Sequence, residues 1–88
     1  MPRHGSILVI DDEDIMREIL ETLLTREGYT VRLASSGAEG IELAKSLPFD
    51  AAIVDVMMPG MDGMAVLEAL KKIDDDLPVL MITAFASV

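Results

Sequence analysis

AAIVDVMMPGMDG, residues 51–63, begins as a strand and ends as a turn. Ala51 to Val56 is an apolar run interrupted by one carboxylate, Asp55. A run this apolar suits a strand covered on both faces, as in a parallel sheet. Met57 and Met58 lead into Pro59-Gly60, which is turn chemistry. From Gly63 to Ile73, Val66, Leu67, Leu70 and Ile73 recur at helical spacing. Strand, loop and helix thus follow one another, with an ionisable group at the strand's exit.

The same alternation extends in both directions. Ser6 to Ile10 (SILVI) reads as the first strand, followed by Asp11-Asp12-Glu13-Asp14. Ile15, Met16, Ile19, Leu20, Leu23 and Leu24 then mark the inner face of an amphipathic helix, with Arg17, Glu18, Glu21, Thr22, Thr25 and Arg26 on the other. Asp14 is the expected N-cap and Gly28 the stop. Thr30 to Ala34 (TVRLA) is the second strand. Ser35 or Ser36 opens a helix to about Leu47, with a weaker stripe of Ala38, Ile41, Ala44 and Leu47, ended by Pro48. Asp74-Asp75-Asp76 is a solvated loop, and Pro78 to Thr83 (PVLMIT) is the fourth strand. The order β-α-β-α-β-α-β, with right-handed crossovers, predicts an α/β fold with a doubly wound parallel sheet.

Bulk composition narrows the functions. The 88 residues suffice for one small domain, and 51% apolar residues argue against a disordered chain. A net charge of −9 argues against a nucleic-acid surface or an anionic membrane, and for a basic partner or a bound cation. Without cysteine there is no disulfide frame and no thiol chemistry. No apolar run reaches the ~20 residues of a membrane span. Residues 1–5 read as a solvated tail, with His4 a bystander, and the setting is expected to be cytoplasmic.

In open α/β sheets, ligands bind beyond the carboxyl ends of the strands. Asp11 and Asp12 follow the first strand, Asp55 ends the third, and Thr83 ends the fourth. If the first and third strands are neighbours, three carboxylates meet in one crevice. Such a cluster repels itself and takes up protons unless a hard cation relieves it. Mg²⁺ prefers oxygen ligands, and a carboxylate beside it is a competent phosphoryl acceptor. Each feature also has an ordinary reading: an Asp-Asp pair as a turn and cap, a strand-end Asp as a turn residue, the methionines as core filling. Their fall at one end of the predicted sheet favours chemistry.

At ILVIDDE (7–13), VDVMMPGMDG (54–63) and PVLMITA (78–84) the chain resembles the receiver domain of two-component response regulators. The resemblance covers essentially the whole chain and implies the flavodoxin-like strand order 2-1-3-4. It implies that Asp55 accepts a phosphoryl group from a sensor histidine kinase or a phosphotransfer protein. It implies Mg²⁺ held by Asp11, Asp12, Asp55 and the backbone carbonyl of Met57, with Asp11 acting largely through water. Thr83 would be the switch hydroxyl, Ala84 would leave the phosphoryl oxygen reachable, and Pro59-Gly60 would form the loop beside it. The ending ITAFASV is similar to receivers of nitrogen-regulatory-type transcriptional activators, which implies an output domain, of the DNA-binding kind, beyond this segment.

The chain departs from that family in length. It lacks the last helix, strand and helix, and with them the lysine that pairs with the phosphoryl group. Lys45, Lys71 and Lys72 lie on predicted helices and cannot substitute. Residues 1–88 are therefore expected to be the N-terminal portion of a receiver, with an uncovered fourth strand that favours self-association. Phosphoryl transfer without turnover is expected, so the chain is not a turnover enzyme. Two alternatives stand beside this reading. A non-switching pseudo-receiver would act only as a binding or association module. A phosphatase of the haloacid-dehalogenase type would need a second acid two residues after Asp55, where Met57 stands. Neither Gly37-Ala38-Glu39-Gly40 nor Gly60-Met61-Asp62-Gly63 forms the G-x-G-x-x-G turn of a nucleotide-binding domain.

Overall fold

β1 (Ser6–Ile10) runs through the middle of a parallel sheet, with β2 (Thr30–Ala34) on one side and β3 (Ala51–Asp55) on the other. The computed structural model describes residues 5–58 and 60–83. β6 (Val79–Ile82) pairs with β3 and completes the order β2-β1-β3-β6. This is the doubly wound order expected from the sequence. Between β3 and the third helix lies a feature the sequence did not suggest. Met57–Met58 (β4) and Met61–Asp62 (β5) form a short antiparallel ribbon. Gly60 closes it with φ +77°, a conformation that favours glycine.

Side chains of the central strands alternate between the two faces of the sheet. Leu8, Ile10, Ala52 and Val54 point into a cluster with Val66 and Leu70 of α3 (Gly63–Ile73), against which Leu43 and Ala44 of α2 (Gly37–Ser46) also pack. Ile7, Val9 and Ile53 point the other way, toward Leu20 and Leu24 of α1 (Asp14–Arg26). The faces are unequal: among the described residues, nine buried residues form the first cluster and three the second. No helix is long and apolar enough to cross a membrane among the described residues.

α1 corrects the sequence reading in two ways. Its N-cap is Glu13, and Asp14 is the first helical residue. The acidic turn folds back so that Asp11 Oδ1 accepts the Glu13 amide at 2.9 Å. The helix also turns only one of its two apolar rows inward, and that row is half-buried. Leu20 and Leu24, four apart, meet the sheet, whereas Ile15, Ile19 and Leu23 form the next row and are exposed, Ile15 by 72%. One sheet face cannot cover so wide a stripe. The helix ends as its glycine predicts: Gly28 at φ +98° donates to the Thr25 carbonyl, and Tyr29 donates to that of Leu24.

In α2, Ser36 is the cap, accepting the Glu39 amide, while Glu39 Oε1 accepts the Ser35 amide. Ala38 is exposed and Gly37 and Gly40 are buried instead. A Cβ at residue 40 would lie 2.3 Å from Ile10 Cδ1, so the helix seats on the sheet through a residue without a side chain. In α3, Val66 and Leu70 are buried as expected, Leu67 is half-buried and Ile73 is exposed. The loop at 74–76 is exposed as expected, with Asp74 accepting the Asp76 amide.

Candidate functional site

The strand register builds the site. Ile10 lies beside Val54 across the parallel β1–β3 pair, so the next residues, Asp11 and Asp55, come to the same rim. Asp12 follows in the bend after Asp11. Carboxylate oxygens of Asp11, Asp12 and Asp55 lie within 4.8 Å of one another. Asp11 and Asp55 are buried, 1% and 2% exposed, and Asp12 is exposed. The convergence expected from the sequence is present.

Local backbone bonds fix both buried carboxylates. Asp55 Oδ1 accepts the Met57 amide at 3.0 Å, as Asp11 Oδ1 accepts that of Glu13. These two-residue turns aim the carboxyl groups while the strands hold their Cα atoms. α3 starts against the same corner, since a Cβ at Gly63 would stand 3.1 Å from the Asp55 carbonyl oxygen. Asp55 is level with Ile82 of β6, so Thr83, just past that strand and exposed, shares the rim. Gly60 is exposed at the tip of the ribbon. Pro59 and Ala84 lie outside the described residues.

The charges of the trio work against one another. Burial pushes the Asp11 carboxyl above its ordinary value of 3.8; the charges of Asp55 and Asp12 and a hydrogen bond with Asp55 add to the rise, and the Glu13 amide opposes it. The unfolded chain releases this proton near pH 3.8, and the folded chain at a higher pH. In between, the folded state holds more protons, so stability falls as pH rises through that window and then levels off. Asp11→Asn removes this titration and keeps an acceptor for the Glu13 amide. Without divalent cation, wild type is expected to lose urea stability relative to the variant as pH rises through that window. A difference independent of pH there would contradict it.

One contact of this rim escaped the sequence reading. Arg17, assigned there to the outer face of α1, turns its guanidinium inward. Nη1 donates to the Asp11 main-chain carbonyl at 2.7 Å and Nη2 pairs with Asp14. The available signal was its place three residues after Asp14, one helical turn on. Val56, Met57, Met64 and Ile15 are also exposed large apolar residues of the segments that carry the site.

Hard oxygen donors in a trio this close suit a divalent cation such as Mg²⁺. The model of the response regulator receiver domain matches residues 7–88. Response regulator MprA of Mycobacterium ulcerans is 48% identical over 82 residues, covering 93% of this chain and 35% of the relative. The chain thus spans about a third of the length of the curated relatives it matches. A CheY-like receiver domain protein from Methanospirillum hungatei has a TM-score of 0.88 at 30% identity, over 94% of this chain and 66% of that one. Response regulator TrrA of Thermotoga maritima, solved in complex with Mg²⁺-BeF, has a TM-score of 0.86 at 36% identity, over 92% and 70%. The structure of histidine kinase ThkA in complex with TrrA also matches, with a TM-score of 0.84 at 35% identity, over 93% and 71%. By sequence across nearly its whole length and by fold, the chain belongs to the response regulator receiver domain family.

Proposed function

We propose that Asp55 accepts a phosphoryl group from a histidine kinase or a phosphotransfer protein, and that Asp11, Asp12, Asp55 and the Met57 carbonyl hold Mg²⁺ beside it. The observation that carries this reading is the meeting of three carboxylates from two strand ends, two of them buried. Buried like charges this close are a cost to the fold that a cation relieves. The Mg²⁺-BeF complex of TrrA and the ThkA–TrrA complex support the same reading.

When bound, the cation neutralises charge on the carboxylates and on the phosphoryl oxygens. The chain's own part is to hold the acceptor. β3 fixes the Asp55 backbone, and the Met57 amide fixes the rotation of its carboxyl group. An Asp55 oxygen forms the new bond to phosphorus as the bond to the donor's imidazole nitrogen breaks, and the imidazole leaves with the electron pair. Thr83, on the same rim, supplies a hydroxyl that answers the modified Asp55. The group is received rather than turned over, as befits a signalling module. In proteins of the relatives' length, the remaining two thirds would hold the output domain.

The test is direct. The chain is incubated with Mg²⁺ and a small phosphodonor and its intact mass is measured. One added phosphoryl group, absent when chelator is present from the start, is the expected result. No addition under conditions that modify another receiver would refute the reading.

A second proposal concerns self-association. β6 pairs on one side only among the described residues, and Leu80 on it is 60% exposed. Residues 77–83 carry no charge, so the chain's net −9 does not protect this edge locally. We expect light scattering at micromolar concentration to show species larger than the monomer. A stable monomer across that range would refute it.

A further inference from the structure

We propose that Arg17 is a positioning residue for the cation site, holding the Asp11-Asp12 turn in the shape that receives Mg²⁺. The inference rests on the reading above of Asp11, Asp12 and Asp55 as its ligands. Three bonds fix Asp11. Its amide donates to the Ala34 carbonyl at 3.1 Å, its carboxylate accepts from Glu13, and its main-chain carbonyl accepts from Arg17. The first two arise within the sheet and the turn. The third ties the turn to α1 through a long side chain whose second donor is held by Asp14.

The guanidinium suits that task. Its planar fork spans two acceptors at once, the Asp11 carbonyl and the Asp14 carboxylate. The side chain is 16% exposed, so most of its length is packed. Of the ion pairs among the described residues, the other joins Lys45 and Glu42 on α2. Mutual repulsion of the three carboxylates pushes the turn away from β3, and the Arg17 bond opposes that displacement.

The sign of the effect separates positioning from bulk electrostatics. A cation next to a metal site repels the metal, so deleting its charge alone tightens Mg²⁺ binding. Deleting a group that orients a ligand loosens it, typically by tenfold or more. We therefore expect Arg17→Gln to weaken Mg²⁺ affinity by about tenfold in calorimetric titration of the 88-residue chain with Mg²⁺ alone. Arg17→Lys keeps the charge and the stem but not the fork, and should bind with intermediate affinity. Urea unfolding in chelator establishes that each variant is folded; if the glutamine variant is not, the lysine variant decides by the same titration. Equal or tighter binding by a folded variant overturns the assignment of Arg17 while leaving the parent reading intact. No Mg²⁺ binding by wild type would overturn the parent reading and this one with it.

Discussion

Asp55→Asn leaves the chain unable to take up a phosphoryl group and, at the same time, makes the cation-free fold more stable. An amide oxygen is a poor nucleophile toward phosphorus, so incorporation from the small phosphodonor falls to background. The same exchange removes a negative charge from a trio, two of them buried, whose oxygens lie within 4.8 Å. Asparagine still offers an oxygen to the Met57 amide, so the bond at 3.0 Å can persist. Relief of like-charge repulsion is worth on the order of 1–3 kcal/mol at this separation and a protein-like dielectric. Added Mg²⁺ should invert the ranking, because wild type gains binding free energy that the variant has largely lost. Urea unfolding in chelator and in Mg²⁺, beside intact-mass measurement, reads all three effects. Phosphoryl uptake by the folded variant would remove Asp55 from the mechanism. A variant less stable than wild type in chelator would mean that the trio does not repel itself as described.

The second large effect is on the core. Leu8 is fully buried in the central strand, in the larger of the two clusters. Leu8→Ala is expected to cost about 2–5 kcal/mol, from lost burial and the cavity left behind. A domain of this size has roughly 4–13 kcal/mol in total, at about 0.05–0.15 kcal/mol per residue. The urea midpoint should fall by about 1–3 M or the chain should fail to fold. Leu23→Ala removes the same atoms from the outward row of α1, where the residue is half exposed. It should change stability by less than about 1 kcal/mol. Equal losses at the two positions would contradict the division of the core given above.

Much of this was legible in the sequence. Continuous apolar runs gave β1, β3 and β6, and the acidic residues at the ends of the first two gave the candidate site. Strand-end position is a strong signal because the register of a parallel sheet brings equivalent ends together. Helix faces were less legible. Ile15, Ile19 and Leu23 fit the apolar period of α1 as well as Leu20 and Leu24 do, and period alone does not say which row meets the sheet. In α2 the buried face is built from Gly37 and Gly40, residues that hydrophobic patterning passes over. The β4–β5 ribbon is too short to show an alternation. Arg17 was misplaced because a charged residue reads as solvent-facing, yet a long stem can carry a guanidinium back to a main-chain carbonyl.

The unequal covering of the sheet has a dynamic consequence. α1 has no buried residue of its own, so it is the layer most readily released in a sub-global opening, while the α2–α3 side stays folded. Releasing α1 would break the bonds from Glu13 and Arg17 that shape the Asp11 turn. Occupancy of the carboxylate rim and the fraying of this helix are therefore thermodynamically linked. A ligand clasped there would slow amide exchange in a helix most of whose length it never touches.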